Sequence, residues 1–360
     1  MLKSLNIRSG DGEVSLSGEK LGFEETLEEN VIKAGICVGC GACVVVCPFN
    51  CLEYREDHPE LVLECKKCGI CLRVCPSYSF SLPELERMVF GRVRNPEEEF
   101  GVKRRLVIAR TTSDKVRNVG QDGGVVTTLL LTALDNGIIE AAAVSSTEED
   151  RPFYPIPKLV TTEEELLTSA GTRYSYSPNL LAYGEGVKEK KSSIAFVGTP
   201  CSIRALRKIQ AAKLAKFVKP LSFTVGLLCS ECFSYDGLMK NHVEKRLGIP
   251  LEDVKKVNIK GGIIVTTNSG RVEKIPLKEA KQYAREACKK CTDFSSELAD
   301  ISVGGVGLSG WTFAIIRTEK GEKIFDFAVN EGALETKPVG AESKALGLLL
   351  KLTRLKRGRT

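Results

Sequence analysis

Cysteine spacing constrains this chain more than any other feature. Cys37, Cys40, Cys43 and Cys47 follow C-x2-C-x2-C-x3-C with Pro48 next, and Cys65, Cys68, Cys71 and Cys75 repeat the pattern with Pro76 next. Each matching pair lies 28 residues apart, so one supersecondary unit occurs twice. Three cysteines on a tight loop wrap one face of a 4Fe-4S cube, while the fourth, displaced past them, reaches the other cube. The spacing therefore assigns Cys37, Cys40, Cys43 and Cys75 to one cluster and Cys65, Cys68, Cys71 and Cys47 to a second. Gly39, Gly41 and Gly69 let the loops close on the cubes and aim amide donors at sulfur. Structural zinc also uses C-x2-C pairs, but the two extra cysteines per half and the C-P ending argue against it. Cys51 breaks the repeat and reads as a small buried apolar residue.

From Ile32 to Tyr78 this pattern resembles the two-cluster bacterial ferredoxins. The expected division is an extension over residues 1–31, a ferredoxin domain over 32–82, a charged linker over 83–104, a cofactor domain over 105–335 and a helical basic tail over 336–360. The tail's Lys351, Arg354, Lys356, Arg357 and Arg359 read as a solvated or partner-docking face.

Composition narrows the chemistry. Fourteen cysteines in 360 residues fall below the roughly 8–10 % of disulfide scaffolds, so the thiols are read as ligands. With 52 Lys+Arg against 46 Asp+Glu the net charge is +6, which does not imply a nucleic-acid partner. Two histidines, His58 and His242, leave little for a Cys/His zinc finger or a Ser-His-Asp triad. The first 30 residues lack the apolar stretch of a signal peptide, and no run approaches the ~18 apolar residues of a membrane span. A cytoplasmic location is expected, with any attachment to the inner face of a membrane made through partner subunits.

Beyond the linker the chain alternates strands and helices: a strand at Leu106 to Arg110, a helix at Val125 to Leu134, strands at Ile194 to Val197 and Phe223 to Leu228, and a hairpin at Ile263 to Thr267 and Val272 to Pro276. This predicts an α/β domain whose sheet mixes parallel and antiparallel pairs. A second cysteine group, Cys201, Cys229, Cys232, Cys288 and Cys291, follows strands or forms a C-x2-C pair. Cys201 and Cys229 can meet at the carboxyl edge of a sheet and join Cys288 and Cys291 as four thiolate ligands. Cys232, three residues further into its segment, is the spare. Some of the five read equally as inert buried thiols. The Gly120-Gln121-Asp122-Gly123-Gly124 loop opens a helix and offers free amides to a pyrophosphate, or serves as turn chemistry alone. A flavin suits the whole, because iron-sulfur clusters pass single electrons and a flavin handles one or two.

Gln121-Asp122-Gly123-Gly124-Val125-Val126-Thr127, Ala170-Gly171-Thr172-Arg173-Tyr174 with Ser177-Pro178-Asn179, Val197-Gly198-Thr199-Pro200-Cys201, Gly226-Leu227-Leu228-Cys229, Cys288-Lys289-Lys290-Cys291-Thr292-Asp293 and Gly310-Trp311-Thr312 together resemble the family of coenzyme F420 hydrogenase/dehydrogenase beta subunits. The resemblance implies an FAD that exchanges hydride with coenzyme F420 and a third 4Fe-4S cluster on Cys201, Cys229, Cys288 and Cys291. It implies Gln121, Asp122, Gly123, Gly124, Thr172, Arg173, Tyr174, Thr199 and Pro200 as flavin-side residues, with no side chain as acid, base or nucleophile. A ferredoxin ahead of the flavin domain resembles the electron-input subunit of F420H2:quinone or methanophenazine oxidoreductases, which take hydride from F420H2 and pass electrons to partner subunits. Beta subunits of hydrogenases and formate dehydrogenases, and ferredoxin-dependent tetrapyrrole reductases, share the domain and are the alternatives. Lys278, Lys281, Arg285, Lys289 and Lys290 form a basic run suited to the anionic tail of the deazaflavin or to a solvated face. Trp311 reads as a ring-flanking or core residue.

Overall fold

The computed structural model describes residues 20–359. Its N-terminal unit has the duplicated plan of the sequence. Helices Ala42–Val46 and Ile70–Val74 each begin at a left-handed glycine, Gly41 at φ 77° and Gly69 at φ 72°. Between them lies the hairpin β1 (Leu52–Arg55) and β2 (His58–Leu61), paired antiparallel. Each helix places its C-x2-C thiols on the preceding loop and its third thiol inward; Cys43 and Cys71 are both 9 % exposed.

The preceding helix, Glu24–Ile32, belongs to this unit. Phe23, Leu27 and Val31 are each 2 % exposed and pack with Cys43, Cys71 and Leu72. Their spacing of four is a helical apolar face, although this stretch otherwise reads as a polar extension.

The larger part follows the expected mixed α/β plan. Its strands are β3 (Arg105–Thr111), β4 (Ala141–Glu148), β5 (Arg151–Val160), β6 (Ile194–Gly198), β7 (Leu221–Leu227), β8 (Val254–Ile259), β9 (Ile263–Thr267), β10 (Val272–Ile275), β11 (Ile301–Gly304), β12 (Thr312–Ile316) and β13 (Leu334–Lys337). Eight of them form one sheet in the order β13-β3-β12-β11-β7-β6-β4-β5. The central β11, β7, β6 and β4 are parallel, and the flanking pairs are antiparallel. Burial on both faces explains their runs of Ala, Val, Ile and Phe: every residue of β6 and of β12 is buried. The expected hairpin gains a third strand, β8-β9-β10, which shares a separate apolar cluster with helix Asp236–Arg246.

The two parts share a core. Cys40, Ala42, Val46, Val74 and Leu85 pack in one cluster with Ala143, Leu180, Tyr183, Phe196 and Leu298. A β-carbon on Gly184 would stand 2.9 Å from Val45, so helix Leu180–Lys188 comes close to helix Ala42–Val46. The connector takes part as well. Helix Leu82–Phe90 buries Leu85 and Glu86, and Arg94 pairs with both Glu86 and Glu297.

Candidate redox site

The parallel strands run to a common edge, and the motif residues lie on the loops that leave it. Cys201 is the second residue of helix Pro200–Ala211, whose cap Thr199 follows β6; Thr199 Oγ1 lies 3.2 Å from Cys201 Sγ, and Pro200 is buried in the first turn. Cys229 follows β7, and its amide donates to the Phe294 carbonyl at 2.9 Å. Helix Glu286–Lys289 and the turn after it carry Cys288 and Cys291.

These thiols converge. Burial, followed by the charges of Cys291 and Cys229, pushes the Cys201 thiol up. Burial and then Cys229 push Cys288 up to about 12. Cys229 goes the other way, down to about 7, through a hydrogen bond from Cys232 and the nearby Lys356. Cys232, the spare thiol by position in the sequence, therefore lies within the group, and its amide donates to Cys288 Sγ at 3.5 Å. Five thiols meet where four are needed.

In the N-terminal unit the last cysteine of each repeat lies within electrostatic reach of the third thiol of the other repeat. Burial lifts the Cys43 thiol, and the neighbours that add to this are Cys40, Cys75, Cys37 and Cys71. For Cys71, burial and then Cys65, Cys68 and Cys47 raise it to about 12. Cys47, Cys65, Cys68 and Cys71 line one hollow together with Phe23, Leu52 and Leu72. Amides point at these sulfurs: Gly39 to Cys37, Lys67 to Cys65, Phe23 to Cys65 and Cys51 to Cys47, each at 3.4 Å. Cys51 is 4 % exposed, and its own thiol donates to the Glu64 carbonyl at 3.2 Å. Among the described residues no three Cys, His, Asp or Glu side chains are disposed to hold a single metal ion. The hollow and the amide donors suit a cube bridged by its own sulfides.

The first thiol group lies next to the third. After burial, the groups that lift Cys40 are Cys75, Cys37 and also Cys201. Lys208, on the helix that carries Cys201, donates to the Cys75 carbonyl at 2.8 Å. Arg285 joins the two parts from another segment. It stacks 4.3 Å above the Tyr176 ring and donates to the Asp57 carbonyl. One member of the basic run is thus an interdomain contact, while Lys289 pairs with Glu286.

A short helix, Asp114–Val119, capped by the Ser113 hydroxyl, separates β3 from the glycine loop, in a stretch for which the sequence pattern predicts no element. Gln121 donates to Asn258 on β8. Asp122, at φ 49°, packs against Gly305 beyond β11, and burial raises its carboxyl against the pull of Lys256 and Lys260. Gly123 donates to Thr312 Oγ1 at 2.9 Å, and a β-carbon there would stand 2.7 Å from the Ala109 carbonyl. Gly124, at φ 68°, caps helix Val125–Asp135.

The Thr172-Arg173-Tyr174 segment adjoins this loop, since Gly171 faces the Val119 carbonyl. Arg173 donates to Thr147 Oγ1 at 2.6 Å and to the Ser169 and Ser145 carbonyls at 2.6 and 3.3 Å. Burial alone lowers its pKa to about 10, and among the described residues no carboxylate pairs with it. The Ser145 and Ser169 hydroxyls, on the residues whose carbonyls it binds, are buried without partners among the described residues. A half-buried guanidinium without an anion beside unused hydroxyls fits a phosphate. Tyr174, raised by burial and then by Asp122 and Cys229, lies within electrostatic reach of both the glycine loop and the third thiol group. Trp311 instead holds Arg110 and Lys337 over its ring at 4.3 and 4.4 Å.

Lys356 departs from the solvated or partner-docking role expected of the basic tail, while Lys351 and Arg354 are exposed. Helix Ser343–Arg357 buries Ala345, Leu349, Thr353 and Lys356, and Lys356 Nζ donates to the Cys229 carbonyl at 2.5 Å. Arg359 donates to the Cys288 carbonyl at 2.8 Å. The spacing of 345, 349, 353 and 356 places the lysine on the apolar face, a signal present in the sequence.

The beta subunit of coenzyme F420 hydrogenase/dehydrogenase is matched by its N-terminal description over residues 106–183 and by its C-terminal description over residues 191–342. A 4Fe-4S dicluster domain is matched over residues 36–89. A component of the F(420)H(2) dehydrogenase of Methanosarcina mazei is 32 % identical over 335 residues, 91 % of this chain and 91 % of that protein. The coenzyme F420 hydrogenase subunit beta of Methanothermobacter thermautotrophicus is 38 % identical over 261 residues, 71 % of this chain and 92 % of that one. A chain of the F420-reducing [NiFe] hydrogenase complex from Methanosarcina barkeri superposes with a TM-score of 0.70 at 36 % identity, covering 74 % of this chain and 92 % of its own. The duplicated cysteine unit and the sheet-edge motifs thus have their counterparts in known proteins, and the chain belongs to the family of coenzyme F420 hydrogenase/dehydrogenase beta subunits, with a 4Fe-4S dicluster domain on its N-terminal side.

Proposed function

We propose that this protein is an F420-linked iron-sulfur oxidoreductase subunit, which takes hydride from reduced coenzyme F420 onto FAD and delivers electrons through three 4Fe-4S clusters to a partner. When bound, a flavin exchanges hydride on one side and single electrons on the other, and the clusters carry those single electrons.

The residues have separate tasks. The amides of the loop at Gly123 and Gly124, the Arg173 guanidinium and the Ser145 and Ser169 hydroxyls would bind the flavin's pyrophosphate and keep water from it. Gln121, Asp122, Thr172, Tyr174, Thr199 and Pro200 would stand on the flavin's side of the site. Cys201, Cys229, Cys288 and Cys291 would hold the adjacent cluster. The eight thiols of the N-terminal unit would hold the other two, in the crossed sets described above. Positioning is the protein's contribution, and hydride transfer asks no proton of a side chain.

The observation that carries this reading is the place of Tyr174, within reach of Asp122 and of Cys229, which supports a flavin and a cluster as neighbours. The electrostatic reach of Cys201 to Cys40 and the bond from Lys208 to the Cys75 carbonyl support a continuation into the ferredoxin unit. Electrons would leave at its far cluster, where Cys68 is exposed and Phe49 and Leu63, 50 % and 60 % exposed, flank it as a surface for a partner subunit. Dehydrogenase over hydrogenase is favoured because the match to the F(420)H(2) dehydrogenase component spans 91 % of this chain and therefore takes in most of the cysteine-rich unit, while the match to the hydrogenase beta subunit spans 71 %. No helix among the described residues is long and apolar enough to cross a membrane.

Anaerobic mixing of the flavin-loaded protein with F420H2 tests the reading. Bleaching of the flavin absorbance is expected; a bound flavin that keeps its colour overturns it.

A further inference from the structure

The geometry points to Lys356 as the residue that raises the reduction potential of the third cluster, by holding a buried ammonium against its thiolates. This rests on the reading of Cys201, Cys229, Cys288 and Cys291 as ligands, and assigns the tail a role in electron transfer.

Four cations close the described chain, and three have acid partners. Arg354 pairs with Glu99 at 2.6 Å, Arg357 with Glu297 at 2.7 Å and Arg359 with Glu231 at 2.9 Å. Lys356 has none among the described residues, although it is 3 % exposed. Its Nζ donates to the Cys229 carbonyl, and the charges that face it are those of Cys229, Cys291, Asp293 and Cys288. Asp293, the acid among those charges, is itself 2 % exposed and lies 3.6 Å from Arg204. The lysine charge thus faces three thiols and one carboxylate that is shared with Arg204.

The placement is held from both sides. Ala345, Leu349 and Thr353 anchor the helix below Lys356, and Arg359 beyond it donates to the Ser230 and Cys288 carbonyls at 3.4 and 2.8 Å. Both ligand-bearing segments, the one after β7 and the one at Cys288, are thus strapped by the last turn of the chain.

Reduction adds one electron to a cube ligated by four thiolates; no proton moves and no bond to the protein breaks. The site becomes more negative by one charge. A fixed cation at short range and low dielectric stabilises that state more than the oxidised one, so the potential rises. Under the proposed function this makes the cluster nearest the flavin a better acceptor for the first electron.

The test uses the full chain, prepared without air, with iron counted and potentials followed by EPR-monitored titration in the unaltered protein, Lys356→Gln and Lys356→Arg. Glutamine keeps an N–H donor, one bond shorter in reach, and removes the charge. In Lys356→Gln the reduction equilibrium of one cluster should shift about tenfold toward the oxidised form, about 59 mV for a one-electron couple. The other two should stay in place, and Lys356→Arg should titrate like the unaltered protein. Equal potentials in the glutamine and unaltered proteins, both with about twelve irons, overturn the inference. So does loss of about four irons in Lys356→Gln, which would make the lysine an assembly residue. If the unaltered protein itself holds only about eight irons, the third-cluster reading falls first.

Discussion

Arg285 fills the space that a β-carbon on Gly39 would need. The two residues come from distant parts of the chain, and their contact is where the ferredoxin unit meets the segment carrying Cys288. It also explains a break in the internal repeat. Lys67 occupies the matching position at φ 49°, close to the 65° of Gly39, but Lys67 is exposed whereas Gly39 must admit a guanidinium.

Gly39→Ala should therefore lower stability by more than the ~1–2 kcal/mol of a left-handed alanine alone, because Arg285 must move as well. Lys67→Gly should change it by less than about 1 kcal/mol. Anaerobic thermal scans of both at one scan rate check the asymmetry.

Removing a crossing thiol should affect the cluster of the other repeat. Cys47→Ala should disturb the site of Cys65, Cys68 and Cys71, and Cys75→Ala that of Cys37, Cys40 and Cys43, with up to about four irons lost in each case. EPR of the remaining clusters tells the two variants apart. Identical spectra would mean that the thiols do not cross.

Cys232→Ser should keep the full iron content, and Cys229→Ser should lose the third cluster. The reverse result would exchange the roles of two thiols that hydrogen-bond to one another.

Arg173→Met should weaken flavin binding at least tenfold, about 1.4 kcal/mol, by removing a cation that no carboxylate neutralises among the described residues. Flavin fluorescence during titration of the apoprotein gives the ratio.

Asp300 accounts for one arm of the pH dependence of stability. Against the cost of burial, Arg207 at 3.2 Å and the Thr224 and Thr318 hydroxyls hold its carboxyl below the usual 3.8. Its folded pKa lies under its unfolded one, so its contribution is present above about pH 4 and lost as the pH falls through the folded value. Asp300→Asn should cost about 3 kcal/mol at neutral pH by leaving Arg207 buried and unpaired. It should also remove that acid arm from denaturation curves measured at several pH values.

The eight thiols of the repeat are legible because a cube samples only a few residues of chain at a time. C-x2-C-x2-C-x3-C-P is a local geometry, and so are the apolar runs that form β6, β7 and β9. Local periodicity also marks Phe23, Leu27 and Val31 as a packed face, although the acids around them give that stretch the composition of a polar extension. What the sequence alone determined is thus which residues can ligate and which segments pair or coil. Tertiary structure decided the rest, because proximity between residues far apart in sequence is set by how the sheet gathers its loops. It brought a fifth thiol, Cys232, into a group of four, and set Tyr174 within reach of both Asp122 and Cys229. It also turned Lys356 inward: an isolated helix leaves that lysine in water, and only the sheet edge the helix packs on brings its charge to the Cys229 carbonyl.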